Sequence, residues 1–210
     1  MVCCQDRFFP GGPVTTDMMK YPGSLLADGK WIVASWDIEQ GKRWPGLQPL
    51  SHPSVLIATF EHRRVRYHDG CRVNFINGMG VTIGDSVVGL SVCHYLKQHY
   101  RDLTINIVRP AVLSPAVEAV YHAALSVGIV DSLEQMPWPF GRYQDFDINI
   151  DMGNQLFRDD FQRMEMHDYF FLHAGIAPDA VPAEFKSNRW LPLSGLNTPA
   201  QPYTLFCPGA

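Results

Sequence analysis

Apolar and polar positions change rhythm several times along the chain, and the sharpest change lies between residues 72 and 100. Residues 72–77 (Arg-Val-Asn-Phe-Ile-Asn) have the pattern of a short apolar strand, 78–85 form a glycine-rich turn, and 86–100 have the spacing of an amphipathic helix. Downstream, residues 104–108 read as a strand ended by Pro110. Ser114 and Pro115 then open a helix to about Val127, with serine as the cap and proline in the first turn. Residues 128–131 return to the sheet, 136–141 read as an aromatic, proline-bearing surface loop, and 147–151 as another strand. Strands alternating with helices predict an α/β domain with a parallel sheet and right-handed crossovers.

The flanks are less regular. Residues 1–29, rich in Pro and Gly, read as an extended arm, followed by strand candidates at 31–38, 55–61 and 64–67. Together these predict a small antiparallel β domain or extension ahead of the α/β unit. A helix is expected over 154–173, with Leu156, Phe157, Phe161, Met164, Phe170 and Phe171 on its buried face. Prolines recur beyond Gly175, so 176–201 reads as a connector, and 203–207 as a fresh strand. The expected division is therefore an arm and β unit (1–70), an α/β domain (71–200) and the first strand of a further domain (201–210).

Composition narrows the classes. With 46% apolar and 18% charged residues, the chain has the make-up of an ordinary globular protein. A net charge of −4 argues against general affinity for nucleic acid or anionic membrane. No apolar run reaches the ~20 residues of a membrane span, and no secretory signal is legible, so a cytoplasmic location is expected. The five cysteines lack Cys-x-x-Cys spacing and read as free thiols. The pairs His94/His99 and His167/His173 lack the i, i+4 spacing of a helical metal site, so surface or capping roles are expected for them rather than a helical metal site.

The candidate chemistry lies in the glycine-rich turn, because open α/β sheets bind ligands at the carboxyl ends of their strands. Gly78, Gly80 and Gly84 allow tight backbone geometry and close approach by another molecule. Asp85, at the helix start, can cap exposed amides or meet the positive end of the helix dipole. A dinucleotide fingerprint is disfavoured because Ile83 holds its third glycine position, and a methyltransferase loop because Asn77 stands where an acid is usual. A plain βα turn with Asp85 as a cap stays open.

Gly84-Asp85, with residues 96–100 leading to the strand 105–108, resembles the amino-terminal domain of ADP-heptose-dependent heptosyltransferases. Residues 206–210 resemble the first strand and turn of their donor-binding domain, and residues 25–31 are similar to the β extension of the bacterial autotransporter branch. The resemblance implies a Rossmann-like half of a two-domain GT-B enzyme that moves a sugar from a nucleotide diphosphate to an acceptor hydroxyl. It implies Asp85 as general base, with Gly78, Gly80, Thr82 and Gly84 around the substrates and helix-start amides near phosphate. By topological position Arg109, Asp151, Asn154 and Arg158 are expected to line the cleft, with ordinary surface roles as the alternative. Trp138 and Phe140 read either as a sugar-stacking pair or as packing onto their own sheet.

The implied partners are a nucleotide-sugar donor, ADP-heptose first among them, and a saccharide or protein acceptor. No cofactor is implied, since the iron-binding cysteines of the autotransporter relatives lie in a carboxyl-terminal half beyond these residues. Self-association through exposed edges of the β extension is a further expectation. These 210 residues alone are expected to bind donor weakly and turn over negligibly. The alternative is a non-catalytic binding or assembly module on the same α/β scaffold.

Overall fold

The computed structural model describes residues 20–57, 64–153, 155–157 and 160–191. Its first elements are β1 (Leu25–Ala27), β2 (Trp31–Val33), α1 (Ser35–Glu39) and β3 (Leu47–Pro49). Then come β4 (Leu56–Ile57), β5 (Arg72–Ile76), α2 (Ile83–His99), β6 (Thr104–Arg109), α3 (Pro115–Ser126) and β7 (Ser132–Gln135). β8 (Trp138–Pro139), β9 (Ile148–Asp151) and α4 (Met166–His173) complete the main elements. Five strands form a sheet in the order β4-β9-β5-β6-β7, every pair parallel. Four others form an antiparallel sheet, β3-β1-β2-β8. The mixed α/β class expected from the pattern is what the chain adopts.

Alternation along the parallel strands divides the interior. Val73, Phe75, Ile105, Ile107 and Ile150 pack in one core with Leu90 and Leu96 of α2, Tyr121 of α3 and Phe170 of α4. Ile76 and Val108, on the other face, pack with Leu26, Ile32, Leu50, Met136 and Trp138. The result is three layers: helices, parallel sheet, antiparallel sheet. Both faces of a parallel sheet need apolar cover. Here helices supply one cover and the small sheet the other.

The β unit expected to precede the α/β domain is thus one of its layers, and strands cross the expected boundary at residue 70 in both directions. β4 joins the parallel sheet, and β8 joins the small one. The segment 136–141, expected as a surface loop, instead buries Met136 and Trp138, because these side chains fill the space between the sheets.

Several expected bounds shift for tertiary reasons. The arm through Gly29 already contains β1, turned into β2 at Asp28 (φ 49) and Gly29 (φ 66). The strand over 31–38 stops at Val33, and residues 35–39 turn helical: the buried Asp37 carboxylate accepts from the Ala111 and Val112 amides (2.9 and 2.8 Å), and the Trp36 indole N–H donates to the Val112 carbonyl (2.6 Å). Residues 64–67 form no strand; the Val65 N–H and Tyr67 hydroxyl bond the carbonyls of Gly175 (3.1 Å) and Ala174 (2.6 Å) after α4. The helix over 154–173 is broken into a short 3₁₀ turn, Gln155–Phe157, and α4, with Asp160 between them hydrogen-bonded to His173 at 3.0 Å. The return over 128–131 forms its strand later, at Ser132–Gln135. The strand candidate 55–61 is β4 in its described part, and the strand expected at 203–207 lies outside the described residues.

A row of polar side chains locks the parallel sheet in register. Ser132 Oγ donates to Asn106 Oδ1 (2.6 Å), Asn106 Nδ2 to Asn74 Oδ1 (2.9 Å), Asn74 Nδ2 to Asn149 Oδ1 (3.0 Å), and Asn149 Nδ2 to the Tyr143 carbonyl (2.9 Å). All three asparagines are buried, and a one-residue slip of any strand would strand its amide against apolar neighbours.

On the helical side, Gly89 of α2 lets α4 and the β5–α2 loop close in. A Cβ there would lie 2.6 Å from Met79 Cβ and 2.9 Å from Phe170 Cε1. Gly89→Ala is therefore expected to destabilise by about 1–3 kcal/mol in urea unfolding, the overpacking outweighing the ~1 kcal/mol helix-propensity gain. A stabilised variant would contradict this packing.

Candidate functional site

From β5 the chain builds outward to β6 and β7, then returns by way of β8 to β9 on the other side of β5. The carboxyl ends of β5 and β9 therefore flank a topological switch, the place where open α/β sheets hold ligands. A cavity of about 190 Å³ opens there. Asn77, Gly80, Val81, Thr82 and Asp85 line it from the β5–α2 turn, and Gly153, Gln155 and Leu156 from the segment after β9. Ser35, Trp36 and Glu39 of α1 close it from the small-sheet layer.

The turn is shaped by backbone that few residues tolerate. Asn77 (φ 73), Gly78 (φ 66) and Gly80 (φ 125) lie in the left-handed region. A Cβ on Gly78 would meet Tyr121 Oη at 2.6 Å, and one on Gly80 would meet Asp85 Cβ at 2.5 Å. Tyr121 threads the turn from α3: its hydroxyl accepts from the Met79 N–H (2.8 Å) and donates to the Gly80 carbonyl (3.2 Å). Burial pushes its phenol up to about 12, so it remains a donor. Gln155 Nε2 donates to the Met79 carbonyl (3.1 Å) from the other side. Gly84 has ordinary helical backbone and open space around it, so neither φ nor packing demands glycine there.

At the start of α2, Thr82 is the cap. Its Oγ1 accepts from the Asp85 N–H (3.3 Å), and its hydroxyl donates to Asp85 Oδ2 (2.8 Å). Asp85 Oδ1 makes no hydrogen bond among the described residues, and the carboxylate lines the cleft half-buried. Burial raises its pKa above the ordinary carboxylate value, with the Thr82 hydroxyl opposing. The amides of Ile83 and Gly84 have no intrahelical acceptor.

No family model, curated protein or solved structure matches the chain. The cleft's own chemistry therefore carries the functional reading.

The residues singled out from the sequence sort into four groups. Gly80, Thr82 and Asp85 meet in the cleft, with Gly78 shaping the turn behind them and Gly84 at the helix start. Arg109 and Asp151 are not on its walls. Arg109 pairs with Glu118 of α3 at 2.6 Å, its side chain 12% exposed. Asp151 is fully buried and accepts from the Ser24 N–H (2.7 Å), the Ser24 hydroxyl (2.9 Å) and the Gly153 N–H (3.0 Å). It pins the small sheet to the end of β9. Asn154 and Arg158 lie outside the described residues. Trp138 is buried and Phe140 packs beside it, so this pair covers its own sheet.

The sequence pattern missed Trp36, inside the strand expected over 31–38, and Glu39 just beyond it, as well as Gln155 and Leu156, inside the helix expected over 154–173. In the sequence Asn77 shows only that no acid stands at the strand end. Among the described residues no three His, Cys, Asp or Glu side chains gather to hold a metal ion, and no helix is long and apolar enough to cross a membrane.

Proposed function

We propose that this chain is the acceptor-side half of a heptosyltransferase-like glycosyltransferase of GT-B type. The enzyme transfers a sugar from a nucleotide diphosphate such as ADP-heptose to an acceptor hydroxyl, with Asp85 as general base. The observation that carries this reading is a half-buried carboxylate, its pKa raised by burial and one oxygen without a hydrogen bond among the described residues, in a cleft at the topological switch point. Asp85 takes the acceptor proton as the acceptor oxygen bonds to the anomeric carbon; the bond from that carbon to the diphosphate breaks, and the nucleoside diphosphate departs with its electron pair. No Lys or Arg stands among the described lining residues, so the diphosphate falls to a facing donor-binding domain. On this reading the protein works in the cytoplasm.

The Thr82–Asp85 pair favours a second reading. A carboxylate engaged with the helix cap is consistent with a binding or assembly module in which the turn is only structural. Titration of the ¹⁵N-labelled chain with ADP-heptose and other nucleotide sugars separates the two. The transferase reading expects weak binding with shifts at the Gly80, Thr82 and Asp85 amides and the Trp36 indole; the module reading expects none there.

A further inference from the structure

We propose that Asn77 and Glu39 make the cleft a subsite for an uncharged saccharide ring, gripped through two neighbouring hydroxyls and closed to phosphorylated sugars. This rests on the transferase reading and narrows its acceptor.

Asn77 is the telling residue. It is only 7% exposed, it lines the cleft, and its carboxamide makes no hydrogen bond among the described residues. Its two amide atoms are not among the buried polar atoms that lack a partner, so they open onto the cleft. Its backbone sits at φ 73, which glycine would adopt with less strain. With no hydrogen-bond partner among the described residues, the carboxamide is open to a ligand that enters the cleft. A carboxamide presents a donor beside an acceptor. Two adjacent hydroxyls, one accepting and one donating, match it.

The other walls define the rest of the ligand. Asp85 from α2 and Glu39 from α1 bring two acceptor groups from different layers, and no Lys or Arg among the described residues accompanies them. Hydroxyl protons suit such a site. A phosphate ester there would face like charge in a partly desolvated cavity, which rejects it. The half-buried Trp36 and Leu156, 71% exposed at the rim, offer apolar surface to the C–H face of a ring.

The test is NMR titration of the labelled chain with methyl glycosides of glucose, galactose and mannose, each compared with its 6-phosphate. At least one neutral glycoside is expected to shift the Trp36 indole and the Gly80–Asp85 amides, with its phosphate on the order of tenfold weaker. Asn77→Gly, which suits the positive φ, should melt no lower than the parent and bind the glycoside about tenfold more weakly. A phosphate that binds as well as its neutral sugar, or an Asn77→Gly chain that binds like the parent, overturns the proposal. Silence toward glycosides while nucleotide sugars still perturb the cleft sinks this inference alone; silence toward both removes the transferase reading as well.

Discussion

Asn74→Ala is expected to lose about 2–5 kcal/mol of stability in urea unfolding, the largest fold effect of a single change considered for this chain. Asn74 is the central link of the row across the sheet, its Nδ2 donating to Asn149 Oδ1 and its Oδ1 accepting from Asn106 Nδ2. Alanine leaves Asn149 Oδ1 and Asn106 Nδ2 without those partners in a buried layer, each at about 1–3 kcal/mol, and opens a small void. The end of the row supplies the control. Ser132 is exposed, so water can replace its hydroxyl, and Ser132→Ala should cost under about 1 kcal/mol. Equal losses from the two variants would show that the row does not hold the register.

This row also marks what was legible in the sequence. β5, β6 and β9 each read as an apolar strand with an asparagine near its centre, and those strands appeared where their patterns put them. Ser114 and Pro115 opened α3 as cap chemistry requires, the Ser114 hydroxyl accepting from the Val117 amide at 3.3 Å. α2 begins three residues earlier than its apolar pattern, at Ile83, because Thr82 rather than a later residue caps it. The small sheet's place was not legible. β8 is a two-residue strand ending in proline, and its apolar side chains declare their role only once two sheets are stacked.

The site followed the same division. Gly80, Thr82 and Asp85 belong to one local turn whose geometry follows from glycine and cap chemistry. Trp36 and Glu39 arrive from another layer, placed by Asp37 and Trp36 bonding the loop after β6. Only position along a strand points to Arg109 and Asp151, and position does not tell which way a side chain turns. Glu118 and Ser24 claim them.

The central claim concerns Asp85, and Asp85→Asn isolates it. Asparagine keeps an oxygen for the Thr82 hydroxyl while removing the proton acceptor. Because burial raises the Asp85 pKa, the folded chain holds that proton more tightly than the unfolded chain. Stability therefore falls as pH rises from the ordinary carboxylate value through the raised one, and is level above it. Asparagine lacks this penalty, so the variant should melt no lower than the parent at neutral pH. On the transferase reading catalysis runs the other way: a base works only when ionised, so the parent's rate should fall as pH drops through that raised value. The decisive measurement is sugar transfer from a nucleotide diphosphate by a protein carrying this domain with its donor-binding partner, parent against Asp85→Asn, with melting curves alongside. The account predicts transfer lower by roughly 10²–10⁴-fold in a variant that melts like the parent, whereas undiminished transfer by a folded Asp85→Asn protein would contradict it.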